Sequence, residues 1–122
     1  MTERARVVGI GGIFFKSADP AALRAWYATH LGVSAEDHGK MFDDGGPVVW
    51  SPFRADTHYF DPSQSPFMIN YRVDSLDRML AQLRAAGVKV DDKVDTLEGV
   101  GRFGWAMDPE GNRFELWEPA KD

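Results

Sequence analysis

Cysteine is absent from the 122-residue sequence. Its absence excludes a disulfide framework, a zinc site built on thiolates and a cysteine nucleophile, and it is typical of proteins from a reducing compartment. The sequence also lacks an apolar run of membrane-spanning length, and no apolar signal core follows Met1. We therefore expect a cytoplasmic protein that has no membrane partner.

A basic stripe is absent as well. The net charge is −5, and acidic and basic residues are interspersed along the chain, so we expect no nucleic-acid partner. Hydrophobic residues make up 43% of the chain and aromatic residues 12%, which is enough to build a core and excludes a disordered chain. The length suits one domain, residues 1–122.

The first half of the chain has the pattern of a strand, a helix and further strands. Residues 7–16 alternate apolar residues with glycine, as a strand does. Asp19 followed by Pro20 predicts the start of a helix, and Gly32 predicts its end. The expected apolar face of this helix contains Leu23, Trp26, Tyr27 and Leu31. Short strands are expected near residues 33–37, 40–43 and 48–52.

The second half repeats this pattern. A strand at residues 67–73 precedes a helix that is capped by Asp74 and Ser75 and ends at Gly87. The distance from Asp74 to Gly87 equals that from Asp19 to Gly32, which indicates a duplicated unit. Short strands are expected at 88–90, 94–97, 102–107 and 113–117. The alternative is an ordinary α+β sandwich in which the equal spacing is a coincidence.

The C-terminal part carries the most specific motif. A hairpin turn, Asp-Pro-Glu-Gly-Asn at residues 108–112, is followed by Phe-Glu-Leu-Trp at 114–117. This motif, together with residues 13–31 and 68–87, resembles the vicinal oxygen chelate superfamily, the glyoxalase, bleomycin-resistance and extradiol-dioxygenase group. The resemblance implies an α+β fold in which two βαβββ modules form a curled mixed sheet around a cleft. It implies module one at about 7–52, a linker at about 53–66, module two at about 67–119, and a homodimer.

Catalytic members of that superfamily hold a divalent metal on the first and last strands of the modules, and the metal polarises the substrate. In this sequence the first-strand positions fall on Gly12 and Met68, which leaves Glu115 alone. A catalytic metal usually needs three protein ligands, so we expect no metal cofactor. A rebuilt site that combines Glu36, His38 or Asp43 with Glu115 is the alternative.

Glu115 is the candidate catalytic residue, since strand alternation directs it away from Phe114 and Leu116 and toward the cleft. There it would act as a general base or bind a cationic group. Alternatively, it pairs with Arg102 or another cation and is structural. The candidate ligand-binding residues are Asn70, Arg72 and Met68 on one face of the strand at 67–73, Arg102 on the strand expected to pair with residues 113–117, and the aromatic residues Trp50, Phe14 and Trp117.

Three predictions have plain alternatives. Arg72 would bind a carboxylate or a phosphate, or it lies at a solvated strand end. The aromatic residues line the cleft, or they belong to the core. The linker contains His58, Tyr59 and Phe60, and it either closes over a ligand or is an ordinary exposed loop.

These residues indicate a protein that binds a small organic molecule in its cleft without a catalytic metal, as the drug-resistance members of the superfamily do. The alternative is a lyase, isomerase or dioxygenase-type enzyme that uses Glu115 with or without a metal. A third hypothesis is a structural or partner-binding module that has lost its cavity. A cleft filled by the protein's own side chains would argue against the first hypothesis.

Overall fold

A computed structural model describes residues 4–36 and 39–121. In this part of the chain, seven strands and two helices follow the order β1 (Val7–Ser17), α1 (Pro20–Leu31), β2 (Lys40–Asp43), β3 (Pro47–Arg54), β4 (Phe67–Val73), α2 (Leu76–Ala85), β5 (Asp95–Leu97), β6 (Gly101–Met107) and β7 (Arg113–Pro119). Neither helix is long and apolar enough to cross a membrane.

The strands form one mixed sheet in the order β2-β3-β1-β4-β7-β6-β5. The first and last strands of each module pair in parallel, β1 with β3 and β4 with β7. The two modules meet where β1 and β4 pair antiparallel. This symmetric arrangement confirms the predicted α+β fold, a curled mixed sheet built from two related halves.

Local sequence signals set the ends of both helices and the last hairpin. The side chain of Asp19 accepts a hydrogen bond from the Ala22 amide at 3.1 Å, and Gly32 ends α1 with a positive φ of 68°. Ser75 caps α2 in the same way. In the turn at residues 108–112, the Asp108 amide donates to the Asn112 carbonyl at 2.9 Å.

Both helices cover one side of the sheet, called here the helix face, and the opposite side is the cleft face. The core of the helix face lies under α2, where Val73, Leu76, Met79, Leu80 and Leu116 are buried.

Helix α1 is attached to the sheet more loosely than α2. It has no buried residue, and Trp26 and Leu31 are 51% and 62% exposed. Only part of its predicted apolar face is in contact, since Tyr27 packs against Trp50 with ring centroids 4.9 Å apart. Amphipathic spacing predicted the helix correctly but overstated its burial.

Two of the predicted strands are reduced to single bridges. Glu36 pairs only with Gly39, and Val90 pairs only with Ala106. Residues 37 and 38, which include the candidate His38, lie outside the described residues. Within the described chain, module one is therefore βαββ, one strand short of the predicted module.

Candidate functional site

Strand pairing places four positions in one row across the cleft face. Glu115 lies opposite Asn70, Asn70 lies opposite Gly12, and Gly12 lies opposite Val49. This row takes one position from the first and last strand of each module. Asn70, two residues beyond Met68 on the same face of β4, is therefore the direct neighbour of Glu115.

Glu115 is only 1% exposed, and neutral donors surround its carboxylate. Oε1 accepts a hydrogen bond from the Asn70 amide at 2.5 Å. Oε2 accepts one from the Trp105 indole at 2.8 Å and another from the hydroxyl of Tyr59. A buried carboxylate needs such donors because it has lost its hydration.

Burial raises the pKa of Glu115 above its usual value, while the hydrogen bonds from Tyr59, Asn70 and Trp105 and the charge of Arg113 oppose that rise. Burial and the negative charge of Glu115 also raise the pKa of Tyr59. Tyr59 is therefore a phenol, and a donor to Glu115, throughout the neutral range.

The linker packs into the cleft. Phe60 is fully buried there and belongs to an aromatic cluster with Phe14 and Trp105, into which Met68 also packs. Tyr59 and Phe60 of the linker thus cover the cleft. The His58 side chain, in contrast, remains exposed and pairs with Asp61 at 2.9 Å.

The β6–β7 hairpin holds the linker in this place. The Ser65 hydroxyl donates to the Asn112 side chain at 2.5 Å. The Arg113 guanidinium donates to the Asp61 carbonyl at 2.7 Å, and it also lies 5.2 Å from the ring centre of Trp105. The motif that resembles the superfamily thus also positions the linker.

The centre of the cleft is filled by the protein's own side chains, which counts against a ligand at that point. A groove of about 420 Å³ remains open beside it, in module one. Phe53 separates the two, because its ring lines the groove and stacks on Tyr59 at 5.5 Å. The other residues that line the groove are Phe14, Pro20, Arg24, Val49, Ser51, Pro52 and Arg54.

Arg72 and Trp117 also lie on the cleft face, and both serve the fold. Arg72 is 6% exposed, and its Nη1 donates to the carbonyls of Ile10 and Pro47, each at 2.7 Å. It is therefore a brace between β1 and β3 rather than a solvated strand end. Trp117 stacks on Phe103 at 5.7 Å and donates to a backbone carbonyl.

The structure does not bring Arg102 and Trp50 to the cleft. Arg102 pairs with Asp77 of α2 at 2.9 Å, so the alternative ion pair with Glu115 is not formed either. Trp50 packs between Phe15 and Tyr27 under α1. Both point to the helix face because strand alternation gives the cleft face to their neighbours in sequence.

The residues in the row do not match the ligand set of a divalent metal. Both Glu115 oxygens accept hydrogen bonds, and Gly12 and Val49 supply no ligand atom. Among residues 4–36 and 39–121, no group of three His, Cys, Asp or Glu side chains is placed to hold a metal ion.

Residues 12–117 match the family described as glyoxalase-like domain. The chain belongs to this family. It thereby joins the vicinal oxygen chelate superfamily that the hairpin motif indicated. No curated protein matches the sequence of this glyoxalase-like protein.

Several solved structures share its fold. Methylmalonyl-CoA epimerase from Mycobacterium tuberculosis aligns with a TM-score of 0.67 and 20% identity, over 99% of this chain and 94% of that one. A Streptomyces coelicolor methylmalonyl-CoA epimerase in complex with 2-nitronate-propionyl-CoA gives 0.69 and 17%, over 95% and 100%. A Legionella pneumophila structure described as NAD-dependent benzaldehyde dehydrogenase gives 0.61 and 14%, over 89% and 98%. At these identities the likeness establishes the fold.

Some residues of the site were missed from the sequence. Val49, Ser51 and Phe53 share the cleft face at a spacing of two, a pattern that extends β3 past its predicted end at residue 52. Arg24 and Arg54 carried no sequence signal, because they line one groove only once the start of α1 lies beside the end of β3. The sequence places Tyr59 in the linker but gives no sign that it is a partner of Glu115.

Proposed function

We propose that this glyoxalase-like protein binds a small organic molecule in the groove of module one, without a catalytic metal. The observation that supports this proposal is the open groove of about 420 Å³, which is lined by residues of β1 and β3 and by the start of α1, and which Phe53 separates from the Glu115 site. Its volume lies within the range of small-molecule sites, and its floor is apolar, as such sites usually are.

The chemistry of the groove favours a ligand with an apolar body and a polar or anionic end. Phe14, Val49 and Phe53 offer apolar contact, and Arg24 and Arg54 line the groove as well. Arg54 is mostly exposed and pairs with exposed Asp56 at 3.1 Å. Exchange of such an exposed pair for a ligand anion costs little.

An isomerase-type proton transfer at Glu115 is a second candidate. A buried carboxyl whose pKa is raised has the property of a general base, and the methylmalonyl-CoA epimerases with this fold are isomerases by name. For this reaction Tyr59 must leave Oε2, after which the Glu115 carboxylate takes a proton from one face of a carbon next to a carbonyl. A proton donor on the opposite face of the planar enolate, such as a water molecule, supplies the new proton, and Glu115 loses its own to solvent.

The binding proposal is tested with a fragment library added to 15N-labelled protein that has been treated with EDTA. We expect amide shifts that cluster at Phe14, Val49 and Phe53. The groove-filling variant Val49→Trp should abolish them, and the matched variant Val94→Trp, on a loop outside the groove, should keep them. Cooperative melting shows that each variant is folded. Shifts that require added metal would contradict the metal-free proposal.

Absence of binding to any fragment would favour the third hypothesis, a module without a ligand. The filled centre of the cleft is consistent with that hypothesis. The enzymatic candidate has its own readout, the incorporation of solvent deuterium into methylmalonyl-CoA. Glu115→Gln should abolish that exchange if Glu115 is the base. Exchange that survives this substitution would rule out the proposed role.

A homodimer in the cytoplasm is part of the same proposal. Ile10 and Ile13 on β1 and Trp26 on α1 are 41%, 43% and 51% exposed, and apolar surface of this kind is often covered by a partner. Light scattering coupled to size exclusion measures the molar mass in solution. A mass of one chain at all concentrations would contradict the dimer.

A further inference from the structure

We infer that the ring of Tyr59 occupies, from within the chain, a subsite for an external aromatic ligand that carries a hydroxyl group. The inference rests on the proposed binding function and names the class of ligand. The contacts of the Tyr59 side chain support it, because together they are the contacts that would bind a phenol.

Three contacts define the subsite. The Tyr59 ring stacks on Phe53, with centroids 5.5 Å apart and planes at 11°. It meets Trp105 edge to face, at 6.3 Å and 89°. Its hydroxyl donates to Glu115. Stacked and edge-to-face walls select an aromatic ring, and the buried carboxylate selects a donor.

The position that Tyr59 uses on Glu115 is specific for a donor. Asn70 donates to Oε1 and Trp105 to Oε2, and the Tyr59 hydroxyl takes the second acceptor position of Oε2, so a ligand that replaces Tyr59 meets Oε2 there. A ligand carboxylate or carbonyl at this position would place its oxygen against Oε2 of the ionised Glu115, so that two acceptors face each other with no hydrogen bond between them. Such a ligand would leave a buried charge without its third donor, which is costly.

Tyr59 can leave while the rest of the linker stays in place. The next residue, Phe60, is fully buried and fixes the linker in the aromatic cluster, whereas Tyr59 is 39% exposed. The compartment that its ring would vacate shares the wall of Phe53 with the open groove. A phenolic ligand could thus place its ring against Glu115 and its remaining part in the groove.

Competition between Tyr59 and the ligand makes the inference measurable. A tethered group acts at an effective concentration on the order of millimolar, so wild-type protein binds a free phenol weakly. Removal of the Tyr59 side chain should strengthen that binding by roughly tenfold or more.

The experiment measures p-cresol binding by calorimetry to wild-type protein, Tyr59→Ala and the control Tyr27→Ala, which removes a tyrosine ring from under α1. We expect Tyr59→Ala to bind p-cresol roughly tenfold more tightly than wild type, and roughly tenfold more tightly than it binds toluene, which lacks the hydroxyl. The control should gain nothing. In Tyr59→Ala with Glu115→Gln, the preference for p-cresol over toluene should fall.

Equal binding of p-cresol by Tyr59→Ala and wild type, or equal binding of p-cresol and toluene, would overturn the inference. If Tyr59→Ala does not melt cooperatively, wild-type protein with 13C-labelled tyrosine decides the matter. Saturating p-cresol should then shift the ring resonances of Tyr59 and leave those of Tyr27 and Tyr71 in place, and an unchanged Tyr59 would overturn it.

Fragment binding in the groove, measured beside p-cresol binding by Tyr59→Ala, separates this inference from the proposed function. If fragments bind the groove but Tyr59→Ala does not bind p-cresol, the inference alone fails. If Tyr59→Ala binds p-cresol while the groove binds no fragment, the phenol subsite stands and the proposed groove function fails.

Discussion

The hydroxyl of Tyr59 donates a hydrogen bond to the buried carboxylate of Glu115, 56 positions away in the sequence. This contact joins the linker between the modules to the last strand of the sheet. It also places a phenol where the fold brings together the first and last strands of both modules.

Tyr59→Phe should lower the free energy of unfolding by roughly 1.5–3 kcal/mol, because the variant loses a hydrogen bond to a charged group and leaves Oε2 of Glu115 with one donor fewer. Urea denaturation measures the change. Tyr71→Phe is the matched control, since the Tyr71 hydroxyl makes no hydrogen bond within the described residues. Equal effects of the two substitutions would show that the Tyr59 hydroxyl contributes nothing to stability.

Phe60→Ala should cost about 3–5 kcal/mol of unfolding free energy, since a fully buried aromatic side chain leaves a cavity in the cluster with Trp105. Phe67 is 42% exposed, so Phe67→Ala should cost much less. Urea denaturation gives both values. A small loss for Phe60→Ala would mean that the linker does not fill the cleft in solution.

The unfolding free energy should depend on pH through Glu115. The folded state raises the pKa of this group, so it binds the proton more tightly than the unfolded chain does. Its contribution is therefore most favourable below the ordinary glutamate pKa of about 4.3 and declines as the pH rises through the folded-state pKa. The stability of wild type relative to Glu115→Gln should fall over this range in urea titrations. A relative stability that rises with pH would mean that the hydrogen bonds outweigh burial.

Gly11→Ala should disturb the Glu115 site from the neighbouring strand. A Cβ at this position would lie 2.2 Å from Oδ1 of Asn70 and 2.9 Å from the Trp117 ring. We expect a loss of about 1–3 kcal/mol, typical of overpacking, with altered tryptophan fluorescence. At Gly104 the nearest atom would be 3.1 Å away, at the end of the Leu80 side chain, so Gly104→Ala should cost less. Equal losses would argue against close packing at Gly11.

Local signals were enough to predict much of the fold. Asp19 and Gly32 bound α1 because capping depends on a few neighbouring residues. The turn at residues 108–112 and the alternation in β7 placed Glu115 correctly on the cleft face. The structure places Trp50 on the helix face and not in the cleft; both faces of β3 are apolar, and the sequence alone does not reveal which one the helix covers.

The sequence by itself thus determined the α+β class, the repeated unit, the helix ends and the place of Glu115, because each depends on short-range pattern or on the resemblance that the hairpin motif carries. Tertiary structure alone decided that Tyr59 is the partner of Glu115 and that Arg72 binds the Ile10 and Pro47 carbonyls. These contacts join residues far apart in the chain, and they form only once the linker has packed into the cleft and β1, β3 and β4 have paired in register. No local propensity encodes such a meeting.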